Sequence, residues 1–121
     1  PDKTVTETLG THLATETTLR AYEIHLGSTQ GPDCARPFAA TPSGPDGATS
    51  ADGRIAGTYL HGCFSSDAFR SAFLKRAGGM TSPLNYGHLV ETTLDALADH
   101  LESHVNLSML WDIAREPVFA P

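Results

Sequence analysis

His61 is the residue of this chain whose type and position best suit catalysis. It stands in the run YLHG, residues 59–62, at the predicted carboxyl end of a buried strand and directly before a glycine. Open α/β sheets place reactive groups at that end of their strands. Histidine titrates near neutral pH and can act as a general base, although most histidines are surface residues or satisfied core residues. The sequence predicts catalysis by His61 and leaves the purely structural interpretation open.

A histidine that acts as a base needs a nucleophile, and the two cysteines of the chain are poor candidates. Cys34 lies in a predicted loop without a strand-to-helix elbow. Cys63 is too near His61 in sequence to be its partner. We therefore expect the nucleophile outside this sequence.

Metal binding is the competing interpretation. His25, His61 and Cys63 carry suitable ligand atoms, and His100 and His104 stand four residues apart on one predicted helix. Neither an HExxH motif nor a paired-cysteine set accompanies them, so a charged helix face is the simpler account and no metal ligand is expected. The chain also lacks both glycine-rich patterns of nucleotide sites, GxxxxGK[ST] and GxGxxG.

Predicted strands occupy the first half of the chain. The threonine-rich runs KTVTETLGTHL and TTLRAYEIHLG favour two strands, because β-branched residues pack well on a pleated sheet, with Gly10 and residues 14–16 as the expected break between them. In the second run Glu23 and His25 share one face. Residues 28–52 hold four prolines and three glycines and predict a long loop. A buried strand then ends near His61.

Predicted helices occupy the second half. Residues 65–79, SSDAFRSAFLKRAGG, begin with a serine N-cap and end with glycines. Residues 85–105 repeat apolar side chains at helical spacing with acidic residues between them. This stripe consists of Val90, Leu94, Leu97 and Leu101. A short helix is expected near residues 109–115. Strands followed by two or three helices define an α/β chain.

The composition fits one soluble domain over residues 1–121, with 40% hydrophobic and 18% charged residues. A formal charge of -6 argues against nucleic acid as a partner. No apolar run approaches the ~20 residues of a membrane helix and no signal-peptide pattern opens the chain, so neither membrane nor secretion is expected. Cysteines without paired spacing favour the cytoplasm. Because the chain opens on Pro1 without an initiator methionine, we expect a fragment.

Four motifs resemble one known family. YEIH-x-G ends at Gly27 and GTYLHG ends at Gly62, while GPDCARP begins at Gly31 and DAFR at Asp67. Together they make residues 20–115 similar to the C-terminal part of the cobyric acid synthases, the glutamine-hydrolysing amidotransferases of cobalamin biosynthesis. GTYLHG also recurs in the related amidotransferase subunit that modifies lipid II, whereas GPDCARP and DAFR favour the synthases.

The resemblance implies the C-terminal half of a class I glutamine amidotransferase-like (flavodoxin-like) domain. In it, His61 is the catalytic histidine that assists a cysteine nucleophile when glutamine is converted to glutamate and ammonia. His25 and Gly27 fall where relatives bring a backbone turn against glutamine, so both are expected to bind substrate. Cys63 stands where triad-type relatives carry an orienting glutamate, which implies a dyad.

For a longer enzyme, the resemblance implies an ATP-binding domain that uses Mg and the ammonia made here to amidate adenosylcobyrinic acid a,c-diamide. Glutamine and this corrinoid are thus the expected partners. The chain by itself is expected to hold no cofactor and to be inactive. A non-catalytic interaction or regulatory domain of the same fold is the alternative. Self-association through an open strand edge or the leucine stripe is also expected.

Overall fold

A computed structural model describes residues 5–24, 26–81 and 83–114 of the chain. The chain divides into two compact units, residues 1–86 and residues 87–121. In the described part, the first unit holds the β-strands and the first helix, and the second unit holds most of the second helix and all of the third. The predicted order of strands followed by helices is confirmed.

The first two strands form an antiparallel hairpin. β1 (Thr6–His12) pairs along its whole length with β2 (Thr17–Glu23). The chain reverses between them through Glu16, which adopts a left-handed conformation with φ of 53°. The two predicted strands and the break at residues 14–16 are confirmed, but the break expected at Gly10 is wrong, because Gly10 lies within β1 and pairs with Leu19.

Among the described residues, five strands make the main sheet. Their order is β4-β3-β1-β2-β7, and every neighbouring pair is antiparallel. A second, two-stranded ladder joins β5 to β6. The remaining strands are β3 (Ala39–Thr41), β4 (Gly44–Asp46), β5 (Ala48–Thr49), β6 (Ala56–Gly57) and β7 (Leu60–His61).

The prediction of one long loop over residues 28–52 is wrong. This segment contains a 3₁₀ turn (Pro32–Ala35) and the strands β3, β4 and β5. Gly44 and Gly47 adopt positive φ values of 125° and 74°, which let the chain turn tightly between such short strands. Strands of two or three small residues leave no periodic signal in a sequence.

The core of the first unit lies on one face of the sheet, between the sheet and the first helix. It is built from Leu19, Ala21, Phe38, Ala39, Leu60, Cys63 and Phe69, with Phe73 packed against it. His12 is 4% exposed, and its ring lies among those of Phe38, Phe69 and Phe73. Its Nδ1 lies 2.7 Å from the hydroxyl of Thr15. Burial, with Arg76 nearby, lowers the pKa of His12 below 6.5.

The opposite face of β1 and β2 is open. Leu9 is 59% exposed there and Tyr22 is half-exposed, and a 3.0 Å ion pair joins Arg20 to Glu7 between them. The buried face of β1 carries Thr8 and His12. β1 therefore turns an apolar side chain outward and polar side chains inward.

Helix α1 (Asp67–Arg76) begins at the predicted N-cap, Ser66, and Phe69 is its fully buried residue. The Ser66 hydroxyl does not cap the helix. It accepts a hydrogen bond from the Arg20 backbone N–H at 2.8 Å, which ties the start of α1 to the middle of β2.

The DAFR motif is a structural clamp. Arg70 bonds Asp67 Oδ1 at 2.5 Å and also donates to the Phe64 carbonyl at 2.7 Å and the Leu84 carbonyl at 2.9 Å. Asp67 Oδ1 accepts the Tyr86 N–H at 3.0 Å. The hydrogen bond from the Tyr86 N–H is the largest cause that lowers the pKa of the Asp67 carboxyl, and the hydrogen bond from Arg70 is the next largest. These contacts fix the chain on both sides of α1.

The GPDCARP motif forms a second clamp of the same spacing. Arg36, which directly follows the 3₁₀ turn, makes an ion pair with Asp33 inside it, and its Nε donates to the Thr49 carbonyl at 3.0 Å. The Arg36 carbonyl in turn accepts the Thr49 N–H at 2.8 Å. The motif thus binds the turn to β5.

The second unit consists of helices. α2 (Tyr86–His104) and α3 (Leu107–Ile113) match the two predicted helices, and Asn106 caps α3 by accepting the Met109 N–H at 3.0 Å. Arg115, the predicted end of α3, lies outside the described residues. In the described part of the chain, no helix is both long and apolar enough to cross a bilayer.

Candidate active site

His61 emerges on the open face of the sheet. It pairs with Tyr22 across β2 and β7, and Leu60 pairs with Glu23. Because neighbouring residues of a strand point to opposite faces, Leu60 enters the core, where it is 2% exposed, while His61 is exposed. The buried leucine therefore anchors the backbone that presents the imidazole.

The chain after His61 turns back at once. Gly62 has a φ of 76°, and a 3₁₀ turn (Cys63–Ser65) leads to Ser66 and its bond to β2. His61 is held between its pairing with Tyr22 and this second attachment.

Cys63 does not resemble the orienting glutamate of a catalytic triad. It is 5% exposed and belongs to the core. Burial raises the pKa of its thiol, and the negative charge of Asp46 raises the pKa further. A thiol held in its protonated form is a poor nucleophile.

The segment that precedes His61 is hydrogen-bonded to a buried carboxylate. Asp46 is 8% exposed, and its Oδ1 accepts the Thr58 hydroxyl and, at 3.3 Å, the Tyr59 N–H. Thr58 Oγ1 also accepts the Leu60 N–H at 3.1 Å. The sequence analysis did not single out Asp46. The Asp-Gly turn at residues 46–47 is the sequence signal that marks its position.

Gly47 closes this arrangement. With a φ of 74°, it packs so closely that a Cβ atom would overlap the Gly57 carbonyl oxygen and lie 2.9 Å from the Cβ of Phe38. The tight contact brings the end of β4 against the segment that leads into β7.

A cleft of about 550 Å³ lies beside this segment. Small, hydroxyl-bearing and acidic side chains dominate its wall. The wall includes Glu23, Gly27, Ser28, Thr29, Cys34, Thr41, Ser43, Asp46, Thr58 and Tyr59. The Tyr59 and Thr29 hydroxyls bond to each other, and Cys34 Sγ lies 3.8 Å from the Thr29 carbonyl oxygen.

The structure separates two of the predicted site residues. Gly27 lines the cleft and has a φ of 86°. His61 is not one of the described residues that line it. Glu23 lines the cleft from the face of β2 that points away from His61. His25, the other predicted substrate-binding residue, lies outside the described residues.

The paired histidines of α2 stack on each other. The rings of His100 and His104 are 4.2 Å apart, and His104 Nδ1 lies 2.7 Å from the His100 carbonyl oxygen. A carbonyl oxygen only accepts, so this contact places a proton on Nδ1 of His104. Across the described ranges, no group of three histidine, cysteine or acidic side chains has the geometry of a metal site.

The chain belongs to the CobB/CobQ-like glutamine amidotransferase domain family, which it matches over residues 1–69. Its role is accordingly that of a glutamine amidotransferase domain. The match includes β7 and therefore His61. No solved structure gives a significant match to the chain.

Curated relatives carry the name cobyric acid synthase. The chain is 57% identical over 115 residues to that of Cereibacter sphaeroides, a match that covers 95% of this chain and 24% of the relative. It is 52% identical to that of Paracoccus denitrificans and 50% identical to that of Bradyrhizobium diazoefficiens over the same share of this chain, covering 23% and 24% of those relatives. The family resemblance deduced from the motifs is confirmed. The chain spans about a quarter of the length of these relatives.

Proposed function

We propose that this chain supplies the catalytic histidine, His61, of a glutamine-dependent cobyric acid synthase. The ammonia released from glutamine would then amidate side-chain carboxylates of adenosylcobyrinic acid a,c-diamide in an ATP-dependent step. The observation that carries the proposal is the exposure of His61 at the end of β7, beside the anchored Leu60, in a chain of this amidotransferase family.

The chemistry asks two things of such a histidine. It must accept the thiol proton of a cysteine so that a thiolate attacks the glutamine amide, and it must return a proton to the departing ammonia. An exposed imidazole at a strand end suits both steps, because it can meet a nucleophile carried by residues outside this sequence. Cys63 is buried and Cys34 lies in the cleft wall, so neither is assigned this role.

ATP and Mg²⁺ belong to the proposal for the longer enzyme. The residues described here do not fit either group, since the chain lacks a phosphate-binding glycine motif and its described acidic side chains form no metal cluster. No step of the reaction on this chain is assigned to them.

A chimeric enzyme tests the proposal. The chain would replace the matching stretch of the Cereibacter sphaeroides synthase, and amidation would be measured with glutamine and with ammonium as the nitrogen donor. We expect activity with both donors, and His61→Ala should abolish the glutamine-dependent activity alone. A chimera that works with ammonium but never with glutamine, or a His61→Ala variant that keeps its glutamine activity, would contradict the proposal and favour a non-catalytic domain.

A further inference from the structure

The strand that carries His61 is only two residues long, Leu60–His61, and stands at one edge of the five-stranded sheet. So short a strand has little pairing of its own to hold it in place. On one side it has β2. Besides the attachment of Ser66 to β2 that follows His61, the side chains of Thr58 and Asp46 support it from the segment before the strand.

The direction of the hydrogen bonds in that pair follows from their chemistry. A carboxylate accepts and does not donate, so the Thr58 hydroxyl proton must point to Asp46. The lone pairs of Thr58 Oγ1 are then free to accept the Leu60 N–H at 3.1 Å. Asp46 also accepts the Tyr59 N–H directly at 3.3 Å. One buried carboxylate thus orients two successive backbone amides that lead to His61.

We propose that Thr58 and Asp46 are positioning residues for His61: they fix the backbone of β7 so that the imidazole projects at a constant angle from the open face of the sheet. The proposal rests on the proposed catalytic role of His61. In sequence, Cys63 stands where triad-type relatives carry an orienting glutamate, but its side chain lies in the core. The buried Asp46 instead orients the histidine indirectly, through the main chain.

Two substitutions of Thr58 separate positioning from packing. Thr58→Val keeps the shape of the side chain and removes the hydroxyl, whereas Thr58→Ser keeps the hydroxyl. In the chimeric synthase described above, we expect Thr58→Val to lower kcat for glutamine hydrolysis by about 10- to 100-fold with KM nearly unchanged. Thr58→Ser should retain kcat within about threefold, because its hydroxyl can make both bonds.

Asp46→Ala gives an independent test, because it removes the oxygen that accepts from Thr58 and Tyr59, whereas the carbonyl oxygen of Asp46→Asn can still accept from both. We expect Asp46→Ala to lower kcat at least as far as Thr58→Val, with KM nearly unchanged, and Asp46→Asn to lower it less. Equal kcat in the valine and serine variants at position 58, or equal kcat in the alanine and asparagine variants at position 46, would overturn the positioning role. A fall in kcat accompanied by a matching rise in KM and loss of folded circular dichroism would also overturn it, because it would indicate packing alone.

The proposed function and the positioning role fail in different ways. If His61→Ala keeps glutamine hydrolysis, the catalytic role fails. If His61→Ala abolishes hydrolysis while Thr58→Val leaves it intact, the positioning role alone fails. The amide of Leu60 gives a third measurement, on the chain itself: its hydrogen exchange should be faster in Thr58→Val than in Thr58→Ser, and equal rates would count against the proposed contact.

Discussion

The ring of His12 lies edge to face against the ring of Phe69, with the two centroids 5.1 Å apart. Phe38 packs on the same histidine at 4.5 Å. An imidazole enclosed by aromatic side chains is favoured in its neutral form, because the charged form would lack the water that stabilises it in solution.

Acid should therefore destabilise the first unit. The pKa of His12 is lower in the folded chain than its ordinary value of 6.5, so the unfolded chain binds the proton more readily. The stabilisation is fully present above pH 6.5 and is lost as the pH falls from there through the lowered folded pKa. Urea unfolding followed by circular dichroism between pH 5 and 8 should show it. His12→Gln should flatten this part of the profile, and an unchanged slope would contradict the assignment.

Removal of the α1 clamp should loosen the chain on both sides of the helix. Arg70→Ala deletes bonds to Asp67 and to two backbone carbonyls, so we expect a loss of about 2 kcal/mol in the free energy of unfolding. Arg54→Ala is the matched control, since Arg54 is 86% exposed and only 4.0 Å from Asp52 at its closest. Thermal melts should separate the two variants. Similar midpoints would show that the clamp contributes little.

A pair of glycines distinguishes crowding from backbone strain. Gly47 and Gly53 both have positive φ, but a Cβ at Gly53 would meet nothing within 4 Å, whereas one at Gly47 would overlap the Gly57 carbonyl. Gly53→Ala should cost about 1 kcal/mol from its left-handed conformation alone. Gly47→Ala should cost several kcal/mol, roughly 3 or more, because backbone must also move. Chemical denaturation of both variants measures the difference.

The two cysteines should differ in reactivity. Cys63 is buried with a raised thiol pKa, whereas Cys34 is partly exposed in the cleft wall. Thiol labelling of Cys34→Ser at pH 7.5 should be slow until denaturant is added, and labelling of Cys63→Ser should be fast without it. Rapid labelling of native Cys34→Ser would place Cys63 within reach of solvent.

Cys63→Ala should also leave glutamine hydrolysis by the chimera nearly unchanged. Loss of an orienting carboxylate from a true triad costs about 10⁴-fold in kcat. A drop of that size, with unchanged folding, would assign Cys63 a function that its burial does not suggest.

Self-association stays a prediction for the chain in solution. Leu94, Leu97 and Leu101 form one stripe of α2 and are each about half exposed. Apolar surface of this extent favours association. We expect a dimer or larger species whose thermal midpoint rises with protein concentration. A monomer in sedimentation, with a midpoint independent of concentration, would contradict this expectation.

Periodic patterns predicted the elements that are long. The strands β1 and β2 and the helices were readable because β-branched content, apolar spacing and turn residues act over neighbouring positions. The sequence pattern did not predict which face of β1 lies against the core, since β1 buries Thr8 and His12 and exposes Leu9. His12 is buried by partners far along the chain, the rings of Phe38 and Phe69.

The site was predicted in part. His61 followed from its place at a strand end before a glycine, and the structure puts it on an exposed strand end. Asp46 was missed because its partners Thr58 and Tyr59 are 12 and 13 residues away, across a segment that reads as loop. The roles of His61 and Gly27 in binding and catalysis stay predictions.

The two Asp-x-x-Arg clamps will respond differently to ionic strength. In the 3₁₀-turn clamp both partners are well exposed, with side chains 43% and 51% accessible for Arg36 and Asp33. In the α1 clamp the Arg70 side chain is only 18% accessible and also bonds to carbonyls. Dissolved ions screen exposed charges and scarcely reach covered ones. We therefore expect added salt to weaken the Arg36–Asp33 ion pair of the turn that holds Cys34 in the cleft wall. The Arg70–Asp67 ion pair at the helix start that follows His61 should be little affected.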